Sequence, residues 1–134
     1  MSAKKSGVPE RRSFATGTVI FREGDSGTQA YMVQQGTVRI FKTVGGKRIT
    51  IGLVRPFQVF GELAMMDDAP RMAGALADDE VTCLVLEKQA IQSMMEQAPP
   101  GLATLLHSLL ATMREMGKDL AEAKAALQDR APAE

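Results

Sequence analysis

The sequence predicts a mainly β chain with C-terminal helices: a jelly-roll-like β-roll, then a short helix, then a long C-terminal helix. Two observations carry this reading. Residues 13–86 consist of short strand-like runs interrupted by frequent turn signals, the pattern of rolled antiparallel sheets. From Glu87 the apolar spacing becomes helical, and from Leu102 to Leu127 apolar residues recur every four and three positions. At 134 residues the chain is large enough to bury one core of its own.

Residues 1–12 are polar and basic, with Lys4, Lys5, Arg11 and Arg12, and read as a flexible basic tail. The roll is expected over residues 13–97. Within it, Val38/Ile40 and Ile49/Ile51/Leu53 alternate with polar or small neighbours, the period of half-buried strands. Val44-Gly45-Gly46-Lys47 predicts a hairpin, because paired glycines accept the positive φ of a two-residue turn. Glu87–Gln97 predicts a short helix, stopped by Ala98-Pro99-Pro100-Gly101. Beyond it, Leu102, Leu106, Leu109, Met113, Met116, Leu120, Ala123 and Leu127 form the seam of a coiled coil. These 26 residues would run roughly 39 Å, further than a small roll can cover, so the stripe predicts a homodimer through residues 102–127. Leu105 and Leu110 widen the stripe where the helix also meets the roll, and Gly117 beside the seam costs about 1 kcal/mol against alanine. Residues 128–134 read as a frayed tail.

The segment from Phe60 to Ala73 carries the chemistry. Gly61 lets the backbone turn tightly and approach a ligand with no Cβ in the way. Glu62 to Met66 favour a short helical turn, whose N-terminus offers unpaired N–H groups to an anion. Pro70 stops that turn, and Arg71 presents a planar fork of donors suited to phosphate oxygens. Glu62 is an acceptor, suited to a sugar hydroxyl. Together they describe a ribose-phosphate clamp.

Composition excludes several alternatives. Sixteen basic and sixteen acidic residues leave no net charge, so the bulk electrostatic footprint of a nucleic-acid binder is missing. Cys83 is the only cysteine and sits in an apolar run, which reads as a buried thiol in a reducing compartment. No apolar run approaches membrane-spanning length and the start lacks the apolar core of a signal peptide, so a cytoplasmic location with no membrane partner is expected. His107 stands alone, and no Ser/His/Asp set, Cys/His set or metal cluster can be assembled. Neither an enzyme nor a metal or cofactor site is expected. The nine methionines, Met65 and Met66 among them, read as adaptable packing.

Phe60-Gly61-Glu62-Leu63-Ala64-Met65, followed after a short gap by Pro70-Arg71, resembles the phosphate-binding cassette of the cyclic nucleotide-binding domain family, of the catabolite activator protein and protein kinase A regulatory subunit type. The likeness continues in Phe14 to Asp25 with its Glu23-Gly24-Asp25 turn, in Tyr31 to Val38 around Gly36, and in Asp79 to Leu86. It covers about residues 14–97 clearly, and the helix beyond only by position. The resemblance implies that Glu62 takes the ribose 2′-hydroxyl and Arg71 the cyclic phosphate of cAMP or cGMP, with Gly61, Leu63, Ala64, Met72 and Ala73 completing the site.

Two departures stand out. Met72 replaces the Ala, Ser or Thr of relatives, and Phe57 falls where many relatives carry glycine. Without a hydroxyl at Met72 the expected preference leans toward cAMP. An ungapped register places Met116-Gly117 where bacterial activators reach the purine with hydroxyls. The chain carries no helix-turn-helix after its long helix, so direct DNA binding is not expected. The reading is a cyclic nucleotide sensor acting in trans through its C-terminal helix on a dimer partner or a protein effector. The alternative is a ligand-free dimerisation or scaffold module with a degenerate site.

Overall fold

The computed structural model describes residues 10–62 and 69–130; the tail at 1–9, the cassette stretch 63–68 and residues 131–134 lie outside them. Eight strands form two antiparallel four-stranded sheets. One orders β1 (Arg11–Phe14), β8 (Val81–Glu87), β3 (Gln29–Gln35) and β6 (Val59–Phe60). The other orders β2 (Val19–Phe21), β7 (Gly74–Ala77), β4 (Val38–Val44) and β5 (Lys47–Val54). Helix α1 (Lys88–Gln97) and helix α2 (Pro100–Arg130) follow, the mainly β roll with a long C-terminal helix that the sequence predicts. Among the described residues no helix is long and apolar enough to cross a membrane.

The core lies between the sheets, built from Tyr31, Val33, Val81, Cys83 and Val85 on one side and Val38, Val54, Ala75 and Ala77 on the other. Tyr31 stacks on Phe21 and on Phe60, which are tilted to each other, and Phe14 meets Tyr31 edge-on at 6.0 Å. The small residues of β7 sit between β2 and β4 because larger ones would not fit: a Cβ on Gly74 would overlap the Phe41 ring. Burial pushes the Cys83 thiol up to about 11, so it is an inert packing group.

Strand pairing changes one expected boundary and one expected alternation. The first strand begins at Arg11, inside the stretch assigned to the tail, because Arg11 and Arg12 pair with Leu84 and Cys83. The Arg12 guanidinium is anchored by Glu10 and by Gln29 at 2.9 Å. In the β4–β5 hairpin, Gly45 and Gly46 both take positive φ, 59° and 81°, as the paired glycines require. Alternation along β5, however, slips at a bulge. Ile40 pairs with Gly52 and Phe41 with Thr50, leaving Ile51 as the extra residue. Beyond the bulge Val54, not Leu53, points into the core.

Pro100 opens α2, where its missing N–H is harmless and its φ is already helical. The helix lies on β4 and β5 through Leu110, Ala121 and Ala125, all buried. Gly117 belongs to this inner face. A Cβ there would overlap the terminal methyl of Met72, so the glycine is what lets helix and roll approach. Lys124 donates to the Thr50 carbonyl at 2.9 Å, Lys47 pairs with Asp129 at 2.8 Å, and the helix runs to Arg130. Leu105 is exposed, whereas Leu110 is buried. Leu102, Leu109, Met113, Met116, Leu120 and Leu127 remain exposed on the helix.

Phe57 adopts a φ of 72° and is 80% exposed. It is the third residue of the turn Arg55-Pro56-Phe57-Gln58, closed by the Gln58 amide on the Arg55 carbonyl at 3.0 Å, a position that favours glycine. A bulky side chain there costs about 1–2 kcal/mol, partly offset by the entropy a glycine would lose. Phe57→Gly is therefore expected to stabilise the fold by about 1 kcal/mol, a rise of about 3 °C in melting temperature by calorimetry. A lower melting temperature would show that the ring contributes packing that its exposure conceals.

Candidate functional site

Strand β6 leads into Gly61, whose φ of 81° turns the chain over the open end of the roll. A Cβ on Gly61 would approach Arg71 Nη1 at 2.8 Å, so the glycine also makes room for the guanidinium. The chain returns through Pro70, Arg71, Met72 and Ala73 into β7. Gly61, Glu62, Arg71, Met72 and Ala73 all line one cavity of about 200 Å³, floored by Phe21, Ile40, Val54 and Phe60. Leu63 and Ala64 lie outside the described residues.

Arg71 is the only buried charged residue among those described, 6% exposed. Its backbone is held from two sides: its N–H donates to the Asp25 carbonyl and its own carbonyl accepts from the Gly24 amide, both at 2.8 Å. The Glu23-Gly24-Asp25 turn thus acts as a mount for Arg71. Lys42 donates to the Met72 carbonyl and pairs with Glu23 at 3.1 Å, tying β4 to the same point.

The guanidinium has neutral partners. Nη1 donates to the Gly61 carbonyl at 2.9 Å and Nη2 to the Gln29 carbonyl at 2.6 Å. Its carbon lies 4.0 Å from the centre of the Phe21 ring. Nε is buried with no hydrogen-bond partner among the described residues, and no described carboxylate forms an ion pair with Arg71. Burial lowers the pKa of Arg71, opposed by the nearby Tyr31 and Asp25. A buried cation without a counter-ion is costly, and this one faces a cavity that would admit an anion. Glu62, half-buried at the same cavity, has its carboxyl raised by desolvation, opposed by its own backbone N–H.

Several residues here escape sequence reasoning. Gln29 and Lys42 carry no motif, and Phe21 lies in the opening-strand likeness with no role assigned to it; only the folded sheets bring Phe21 and Gln29 to Arg71 and Lys42 to the Met72 carbonyl. Helix α2 also contributes. Met113 lines the cavity, and Arg114 donates to the Pro70 carbonyl at 3.1 Å. Of the pair Met116-Gly117, Met116 is 63% exposed and Gly117 sits against Met72. Gly117 fixes how closely the helix docks, so the residue one turn earlier overhangs the cavity. Among the described residues no group of His, Cys, Asp and Glu could hold a metal ion.

Fold and site together give a β-roll with a buried guanidinium and a half-buried carboxylate at one cavity, which a long helix also lines. Residues 11–98 match the cyclic nucleotide-binding domain, and the chain belongs to that family. It is 32% identical over 112 residues to the cyclic AMP receptor protein of Thermus thermophilus, covering 83% of this chain and 52% of that protein. It is 34% identical over 91 residues to a cAMP-dependent protein kinase regulatory subunit of Pyricularia oryzae, covering 68% of this chain and 23% of the other. Among solved structures it is similar to the EAL enzyme Bd1971, with a TM-score of 0.80 at 26% identity for the cAMP-bound form, covering 90% of this chain and 32% of that one. The cGMP-bound form gives 0.76 at 28%, covering 78% and 28%. The chain thus spans about half or less of the relatives it matches.

Proposed function

We propose that this chain binds a cyclic nucleotide, cAMP in preference to cGMP, as a regulatory domain rather than an enzyme, and signals occupancy through α2. The observation that carries the reading is Arg71: a buried guanidinium without a described counter-ion, aimed with Glu62 at one cavity. In this reading Arg71 takes the cyclic phosphate and Glu62 the ribose 2′-hydroxyl. The backbone of Gly61, Leu63, Ala64, Met72 and Ala73 completes the site.

The route outward is short. Pro70 and Met72 flank Arg71, and α2 touches both, through Arg114 and Gly117. Movement of the cassette therefore changes the surface on which the helix rests, and a ligand preferring one arrangement shifts the population toward it. The exposed stripe of α2 then meets a second copy or a protein effector. Met72 packs into the space left by Gly117, which gives it a purpose a degenerate site would not require.

Calorimetric titration with cAMP and cGMP tests this. Ligand at a hundred times its dissociation constant adds about 2.7 kcal/mol of stability, about 10 °C in melting temperature. No heat and no shift with either nucleotide at millimolar concentration would favour the scaffold reading. Glu62 has its own signature. Glu62→Gln should cost about 1–2 kcal/mol of affinity, 2′-deoxy-cAMP should bind weakly to the wild type, and Glu62→Ala should lose most of that preference.

A further inference from the structure

The neutral surroundings of Arg71 pose a physical problem. A guanidinium this deeply buried is normally held by a carboxylate, yet none is paired with it among the described residues. Two carbonyls accept from Nη1 and Nη2, whereas Nε has no partner among the described residues, and Asp25 acts on the charge from nearby without an ion pair. What covers the planar face is Phe21, 4.0 Å away. Gly27 leaves the space the group fills, since a Cβ there would overlap the guanidinium carbon. Phe21 is in turn fixed by its ring contacts with Tyr31 at 6.4 Å and Phe60 at 6.0 Å.

We infer that Phe21 is a positioning residue for ligand capture: its ring is the neutral counter-surface that holds the Arg71 guanidinium in place before an anion arrives. This rests on the cyclic nucleotide reading of the site. A carboxylate in the same place would neutralise Arg71 and compete with the incoming phosphate for its donors. The π face supplies attraction without occupying any N–H, so the fork stays available while its orientation is kept. The strand position of Phe21, fixed by pairing with Ala75, places this support on the sheet instead of a loop.

The test separates ring electronics from packing. Phenylalanines carrying one, two and three ring fluorines at position 21 keep the shape while weakening the π face. cAMP affinity of the full chain is expected to fall stepwise with fluorine number, and Phe21→Leu to bind about 5- to 30-fold more weakly than wild type. Equal affinity across the fluorinated series would overturn the inference and leave Phe21 a cavity wall. A second readout is independent of ligand. The order parameter of the Arg71 Nε–H bond, its resonance assigned by its loss in Arg71→Ala, should fall from wild type to Phe21→Leu as the guanidinium loses its support. An unchanged order parameter would overturn the inference. Should wild type bind neither cAMP nor cGMP, the functional reading fails by itself and the order parameter still decides whether Phe21 positions Arg71.

Discussion

Arg71→Ala is expected to lower cyclic nucleotide affinity between roughly 30-fold and several thousand-fold, measured by calorimetry or competition. Removing one partner of a desolvated charge pair costs about 2–5 kcal/mol, much of it from leaving the phosphate without its cation. The effect on the unliganded fold should be much smaller. The substitution leaves the Gly61 and Gln29 carbonyls without a donor but also removes a buried charge that no described carboxylate compensates. These terms oppose each other, so the melting temperature without ligand should move by only a few degrees. Wild-type affinity in Arg71→Ala would place the site elsewhere in the molecule.

The second large effect concerns α2. Leu109→Glu with Leu120→Glu is expected to convert a homodimer into a folded monomer, read by sedimentation. Both leucines are exposed in the single chain, so the change strips nothing from the roll's core. In a two-stranded seam each new carboxylate would be desolvated near its own copy, at about 3–5 kcal/mol for an uncompensated buried charge, or a weakening of a hundredfold or more. Met113 is unsuitable for this test because it also lines the cavity, and a charge there would disturb ligand and seam together. A wild type that sediments as a monomer at high micromolar concentration would assign the stripe to a different partner.

The two faces of α2 explain why the helix was legible in part. A heptad stripe is a local pattern, and Leu109, Met116 and Leu120 stay exposed in the single folded chain. The adjoining face carries Gly117, Ala121 and Ala125, spaced four apart but too small to read as a packing stripe. Their use depends on Met72 and Ile51 across the interface, which no spacing along the chain can announce. The same holds for β5. The alternation of Ile49, Ile51 and Leu53 is in the sequence, but the bulge that reverses its phase is set by pairing with β4.

By itself, the sequence determined the β-roll with its trailing helices, the Gly45-Gly46 hairpin and the placing of Gly61, Glu62 and Arg71 on one short segment. Each of these is written in residues that are neighbours along the chain or repeat at the period of one element. Tertiary structure alone decided what surrounds Arg71: the ring of Phe21, the carbonyl of Gln29, the notch at Gly27, and the reach of Arg114 and Met113 from α2. Those groups come from separate strands, a loop and a helix, and their meeting around one site follows from sheet register and helix docking. These are properties of the packed core that no local pattern encodes.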